Sequence, residues 1–183
     1  INVASGDFNG DGTGELVVAA GPGGSSQVRI FNNPAKLIGQ FSVFEKTFRG
    51  GVNVAAGDLD GDGKDELLVA PETGGPPTVK VFTDKGKLKK TFSVFPKNFR
   101  GGVFLATGDT NGDTVPEIIV GAGPGGGPQI RVFSAKGKLR SQFLAYGTGF
   151  RGGVRVASGD INQDGKEDIV AAPGPGGGPQ IRV

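Results

Sequence analysis

Apolar residues in this chain arrive in short bursts, each cut off by a cluster of Gly, Asp, Asn or Pro. One stretch shows the pattern in full. Residues 52–56 are mostly apolar and β-compatible, and they run into an Asp/Gly loop; residues 66–70 form a short run of the kind expected of a strand buried on both faces. A Gly/Pro loop follows, then Thr78 to Phe82, where Val79 and Val81 alternate with Thr78 and Lys80. A tight turn at Asp84-Lys85-Gly86 leads to residues 88–95, a fourth strand with Lys89 and Lys90 on it. No segment sustains a helical period, and Gly or Pro every few residues would break a helix in any case. The pattern predicts an all-β chain.

The same pattern recurs every 51 residues without insertion. Gly6-Asp7, Gly57-Asp58, Gly108-Asp109 and Gly159-Asp160 mark it, as do Phe48-Arg49-Gly50-Gly51, Phe99-Arg100-Gly101-Gly102 and Phe150-Arg151-Gly152-Gly153. The stretch 123–129 returns at 174–180, with a looser copy at 21–27. One small antiparallel sheet cannot bury both of its faces, whereas radial stacking against neighbouring sheets does. The expected fold is therefore a β-propeller of 51-residue, four-stranded blades. The blades fall at approximately 1–51, 52–102, 103–153 and 154–183, the last ending after its third strand. The Lys-rich fourth strands become outer edges, where charge discourages edge-to-edge pairing. A closed four-bladed ring fits this layout. So does an arc completed by further blades of a parent chain or of another copy.

Composition removes several functions. Among 183 residues there are 36 Gly, 12 Pro, 13 Phe and one Tyr, but no Cys, His, Met or Trp. Thiolate and imidazole metal sites are excluded, as are disulfides and Ser-His or Cys-His catalysis. Glycine does not fall at every third position, which excludes collagen. No apolar run approaches the 18 residues of a membrane-spanning helix, so no insertion into a bilayer is expected. The first residue is Ile1, not Met, so the chain is expected to be a processed product or an excised fragment.

The net charge of +2 hides a strong asymmetry. Of 18 acidic residues, 15 lie in the four loops that follow the Gly-Asp pairs; only Glu45, Glu72 and Asp84 lie elsewhere. Each loop has the form D-x-[DN]-x-D-x-x-x-[DE], with oxygen side chains at positions 1, 3, 5 and 9. These are Asp7, Asn9, Asp11 and Glu15, then Asp58, Asp60, Asp62 and Glu66. The third and fourth loops present Asp109, Asn111, Asp113 and Glu117, and Asp160, Asn162, Asp164 and Asp168. Backbone carbonyls at position 7, from Thr13, Lys64, Val115 and Lys166, complete an all-oxygen set. Such a set suits Ca2+, which takes six to eight oxygens in irregular geometry, better than Mg2+ with its strict octahedron. Turn propensity alone does not call for three or more mutually repelling carboxylates within nine residues. Up to four calcium ions are expected, one per loop. Glycine at position 6 permits a left-handed turn, but the third loop has Thr114 there, so its site is expected to bind weakest.

The segment Phe48-Arg49-Gly50-Gly51 leads into Val54-Ala55-Ala56-Gly57-Asp58-Leu59-Asp60-Gly61-Asp62-Gly63 and ends in Leu67-Leu68-Val69-Ala70-Pro71. It resembles the FG-GAP repeat of integrin α-subunit propellers and of many bacterial surface proteins. The resemblance covers essentially the whole chain. It implies calcium at the loop positions named above, on one face of a propeller, and an extracellular or cell-surface location. It also implies a ligand, protein or glycan, on the opposite face formed by the Gly/Pro loops and the Phe-Arg-Gly-Gly segments. Family propellers commonly have seven blades, more than this chain supplies.

Other features admit simpler readings. Arg49, Arg100 and Arg151 would form an arc at one rim, suited to reading carboxylates, sulfated sugars or phosphates; more simply, each ties a loop carbonyl or carboxylate of the adjacent blade. Arg29, Arg131 and Arg182, with Lys80, would form a second arc. Lys85, Lys87, Lys89 and Lys90 lack interleaved aromatics, so nucleic-acid binding is not expected, and edge protection accounts for them. The Gly-rich loops are not followed by Gly-Lys-Ser/Thr or by a helix, which excludes a phosphate cradle. The phenylalanines at 31, 82 and 133, at 41, 92 and 143, and at 48, 99 and 150 pack blade against blade. The chain reads as a structural or adhesive binding module. A lectin with sites between blades is the alternative, although only Tyr146 joins the phenylalanines as a sugar platform. No enzyme is expected, because Glu45, Glu72 and Asp84 occupy non-equivalent places and form no pair.

Overall fold

The computed structural model describes residues 1–33 and 35–183. Fourteen strands among the described residues form four antiparallel sheets of four, four, four and two strands. The first sheet is β1 (Asn2–Gly6), β2 (Glu15–Ala19), β3 (Gln27–Asn32) and β4 (Lys36–Ser42), hydrogen-bonded in that order. The second repeats it with β5 (Val52–Gly57), β6 (Glu66–Pro71), β7 (Thr78–Phe82) and β8 (Leu88–Ser93). The third consists of β9 (Val103–Gly108), β10 (Glu117–Ala122), β11 (Gln129–Phe133) and β12 (Leu139–Leu144). The fourth holds β13 (Val154–Gly159) and β14 (Asp168–Pro173).

Burial explains the order. β6 is buried along its whole length because it is covered on both faces. Leu67 and Val69 face the first sheet, among Val17, Ala19, Val28 and Ile30; Leu68 and Ala70 face the third, among Ile118, Val120 and Phe133. This is the period-2 alternation of a strand with an apolar partner on each side. Ile119 of β10 likewise faces the fourth sheet, with Ile130, Val154 and Ala171. Where a neighbour is missing the alternation shows through. Leu16 of β2 is 45% exposed while Val17 beside it is fully buried. The outer strands carry the polar edge, β12 being exposed throughout.

Phenylalanines bridge the sheets as expected of a blade stack. Phe41 of the first sheet meets Phe82 of the second at 5.7 Å between ring centroids, and Phe92 meets Phe133 of the third at 5.5 Å. Phe143, which has no fourth-sheet partner of this kind, is exposed. The architecture is thus a propeller-like arc; the sheets do not close into a ring.

Two details differ from the sequence reading. The fourth strand of the second unit ends at Ser93 instead of residue 95, since Val94 and Phe95 turn into the core and Phe95 packs on Phe99 at 5.5 Å. The third segment of the fourth unit is not a strand: only an isolated bridge links Arg182 to Ala171. It has β14 on one side and no outer strand on the other, so half its ladder is missing.

Because Leu68 is fully buried between the second and third sheets, Leu68→Ala should cost roughly 2–5 kcal/mol. Leu16→Ala, on the uncovered face, should cost under half of that by chemical denaturation; equal losses would contradict the two-faced packing.

Candidate metal-binding rim

Each sheet's first and second strands are joined by an acidic loop, and the four loops are built alike. Position 1 is the hub. The Asp7 carboxylate accepts backbone N–H bonds from Gly10 at 2.7 Å, Asp11 at 3.2 Å and Gly12 at 2.7 Å. Asp58 accepts the equivalent three from Gly61, Asp62 and Gly63, and Asp109 those from Gly112, Asp113 and Thr114. Asp160 accepts two, from Asp164 and Gly165. At position 5, Asp11, Asp62, Asp113 and Asp164 each accept the N–H of residue 7 of the loop, from Thr13, Lys64, Val115 and Lys166. The side chain therefore curls each loop inward around its own backbone.

Position 9 opens the second strand and is buried: Glu15, Glu66 and Glu117 are only 2–4% exposed. Each accepts the N–H of position 2, from Phe8, Leu59 and Thr110, and Asp168 does the same for Ile161. Burying a carboxylate is tolerable only when such donors meet it. In the first two loops position 2 also anchors the loop to the next sheet: Phe8 lies in the core between the first and second sheets, and Leu59 packs against the core between the second and third, whereas Ile161 of the fourth loop is exposed.

The loops differ at position 3. Asn9 and Asn111 donate Nδ2–H to Glu15 and Glu117, each at 2.7 Å. Asn162 instead accepts the N–H of Asp164. The second loop has Asp60, and there Lys89 Nζ bonds both Asp60 and Glu66, the latter at 2.8 Å. The carboxylate oxygens of Asp58, Asp60 and Glu66 lie within 4.8 Å of one another. Oxygens ligating one calcium at 2.3–2.6 Å stand at most about 5 Å apart, so this spacing fits a single cation of that size. The donor set is oxygen throughout.

The left-handed turn expected at position 6 is present. Gly12, Gly63 and Gly165 have φ of 82°, 82° and 85°, and Thr114 is held at 70°. The hub carboxylate of Asp109 binds the Thr114 N–H at 2.7 Å, which keeps a β-branched residue in this costly region. Position 4 needs the same conformation, and the fourth loop places Gln163 there with φ of 63°. The sequence signal for this was the glycine at position 4 of the other three loops.

Charge is unevenly held. The Gly12 N–H, with those of Gly10, Asp11 and Asn9, lowers the Asp7 carboxyl below its ordinary range against an opposing desolvation. Asp109 is also lowered: desolvation pushes it up, and the N–H groups of Thr114, Gly112, Asp113 and Asn111 together outweigh it. Asp65 is raised, chiefly by burial and further by the charges of Asp58 and Asp7, although the Asp7 N–H opposes the shift. Asp65 is a strut between loops. Its N–H bonds the Asp7 carbonyl at 2.8 Å and its carboxylate accepts the Asp7 N–H at 2.9 Å. Glu167 N–H bonds the Asp109 carbonyl in the same way, but at the joint between the second and third sheets the equivalent residue is Pro116, which has no N–H.

The opposite face carries the Gly/Pro loops and the Phe-Arg-Gly-Gly segments. Arg49, Arg100 and Arg151 are exposed, and each Nη1 folds back on carbonyls of its own connection: Lys46 and Phe48, Lys97 and Phe99, Thr148 and Phe150. The tie is local, not across to the adjacent blade. The next residue must be glycine, because a Cβ at Gly101 would overlap the Pro124 carbonyl oxygen. The second basic arc is what joins the sheets. Lys80, Arg131 and Arg182 donate to the carbonyls of Val43, Val94 and Ala145 on the preceding sheet and lie over the rings of Phe44, Phe95 and Tyr146. Arg29, at the uncovered flank, is exposed. A cleft of about 490 Å3 lies on this face, lined by Phe95, Phe99, Arg100, Pro124 and Gln129; a smaller one of about 240 Å3 repeats it at Tyr146, Phe150 and Gln180.

The FG-GAP-like repeat family matches the chain three times, over residues 7–69, 58–120 and 109–171. Integrin alpha-PS2 of Drosophila melanogaster is 29% identical over 158 residues; the match takes in 71% of this chain and 11% of the integrin. Among solved structures, the exotype rhamnogalacturonan lyase YesX superposes with a TM-score of 0.67 at 16% identity, over 94% of this chain and 39% of the lyase. A rhamnogalacturonan lyase of Bacillus licheniformis gives 0.67 at 18%, over 94% and 40%. At those identities the likeness is one of fold. No helix among the described residues is long and apolar enough to cross a membrane.

The hub carboxylates set an acid dependence. A carboxyl lowered on folding contributes stability that is present above its unfolded value, about 3.9, and is lost as pH falls through the folded value. In chelator, the thermal midpoint should therefore drop as pH falls from 5 to 3, and Asp7→Asn or Asp109→Asn should flatten that drop. Asp65, being raised, works in the opposite sense, so Asp65→Asn should steepen it.

Proposed function

The chain belongs to the FG-GAP-like repeat family, and from that premise we propose that it is a calcium-stabilised propeller segment. Its role is that of a structural or adhesive binding module of a secreted or cell-surface protein, without catalytic activity of its own. The observation that carries the calcium reading is the second loop, where carboxylate oxygens of Asp58, Asp60 and Glu66 come within 4.8 Å of one another; the hub aspartate gives the other three loops the same backbone course. Asp7, Asn9, Asp11 and Glu15 would hold one ion with the Thr13 carbonyl; Asp58, Asp60, Asp62 and Glu66 a second with that of Lys64. Asp109, Asn111, Asp113 and Glu117 would take a third with the Val115 carbonyl, and Asp160, Asn162, Asp164 and Asp168 a fourth with that of Lys166. When bound, the ions neutralise a rim that carries fifteen carboxylates and two lysines. Binding only the folded state, they stabilise it by mass action.

The face opposite the loops is the proposed surface for a protein or glycan partner, with Arg49, Arg100 and Arg151 exposed on it. The cleft at Phe99 and Gln129 and its repeat at Phe150 and Gln180, 51 residues on, favour a second reading, a lectin with one sugar site per blade. A glycan array separates the two readings: discrete binding to particular sugars supports the lectin, and none supports a protein partner.

Calcium at a hundred times its dissociation constant adds about 2.7 kcal/mol per site, several degrees in midpoint. Chelator should lower the thermal midpoint by that order and added calcium should restore it; a midpoint indifferent to both would refute the reading. The first and third loops share their side-chain ligand types, so Thr114→Gly should tighten the third site relative to wild type and raise the midpoint by roughly 2–4 °C.

A further inference from the structure

The second loop differs from its copies in having an ammonium bonded to its carboxylates. In the first and third loops, position 3 is asparagine, and its Nδ2–H satisfies the buried glutamate at position 9. Asp60 cannot donate, and it adds a negative charge where Asp58 and Glu66 already converge within 4.8 Å. The missing donor comes from another strand. Lys89 of β8 spans 23 residues to place Nζ 2.8 Å from the Glu66 Oε1, and bonds the Asp60 carboxylate as well. Its repeat equivalents behave otherwise. Ile38 of β4 is apolar, and Arg140 of β12 makes no bond to its own loop among the described residues. Asp60 and Lys89 thus occur together in the one unit and in neither of the others that have an outer strand.

Resting on the calcium reading above, we infer that Lys89 is a tethered competitor of the metal in the second loop: its ammonium neutralises Asp60 and Glu66 without calcium and must be displaced for calcium to bind. Among the described residues no lysine or arginine is ion-paired to a carboxylate of the other three loops; the second has its own. Loop shape in the second unit is therefore retained in chelator, and its metal exchanges at higher calcium concentration than the carboxylate count alone would give. Displaced, Nζ stays in a cleft of about 750 Å3 that Asp113 and Glu117 of the third loop line together with Lys90, Lys136, Lys138 and Arg140.

The test is a calcium titration of the whole chain, followed through the Gly61 and Gly63 amides by NMR and through total heat by calorimetry. Lys89→Met should tighten the second site by about tenfold, the scale of one charge-assisted bond, and leave the first and third unchanged. It should also lower the midpoint in chelator. The double variant Asp60→Asn, Lys89→Ile recreates the residue pair of the first unit and should restore the chelator midpoint and titrate like the first loop. Unchanged second-site affinity in Lys89→Met, with calcium still filling the other loops, would overturn the role of Lys89 and leave the calcium reading standing. No calcium bound by wild type or by either variant would overturn both.

Discussion

Each sheet in this chain has two apolar faces and no means of covering either alone. That constraint dictates the rest. Strands of five to seven residues give a sheet too small to bend over itself, so every sheet takes its neighbours as its core, and β6 and β10 disappear from solvent along their whole length. The outer strands, with nothing beyond them, become polar. The flank of the first sheet, with no partner, leaves Leu16 and Val3 in water. Blade repetition is the result of that shortage of cover.

The acidic loops are fastened into this stack instead of hanging from it. Phe8 and Leu59 sink into the cores formed with the following sheet, while their N–H groups reach the buried glutamates that open β2 and β6. A change in a loop is therefore felt at a joint between sheets. In the first two units, neutralising the rim and tightening the stack are coupled through the same two residues.

The sequence made the period, the strand pattern and the loops legible, because a gapless repeat displays Asp7, Asp58, Asp109 and Asp160 as one position and the 51-residue spacing resists coincidence. The turn at Thr114 was readable for the same reason: one odd residue stands out against three glycines. Lys89 was not readable. It sits in a lysine cluster whose ordinary use is to protect an edge, and only the fold brings it across two strands to Glu66. The local folding-back of Arg49, Arg100 and Arg151 was equally hidden, since a side chain's choice between near and distant carbonyls leaves no trace in spacing. The unformed third strand of the fourth unit depends on a partner that no pattern within residues 179–183 can report.

The proline at position 116 makes one joint of the arc unlike the other two. On the rim of acidic loops, the first and second sheets are pinned by Asp65 and the third and fourth by Glu167, whereas the second and third, lacking that bond, are pinned by the Thr107 hydroxyl, which donates to the Ala56 carbonyl. On the opposite rim each linker to the next sheet is tied alike to a loop of the sheet it leaves, Arg49 to Gly23, Arg100 to Gly74 and Arg151 to Gly125. The second and third sheets are thus held at the acidic rim by one threonine hydroxyl where the pairs on either side use a backbone strut.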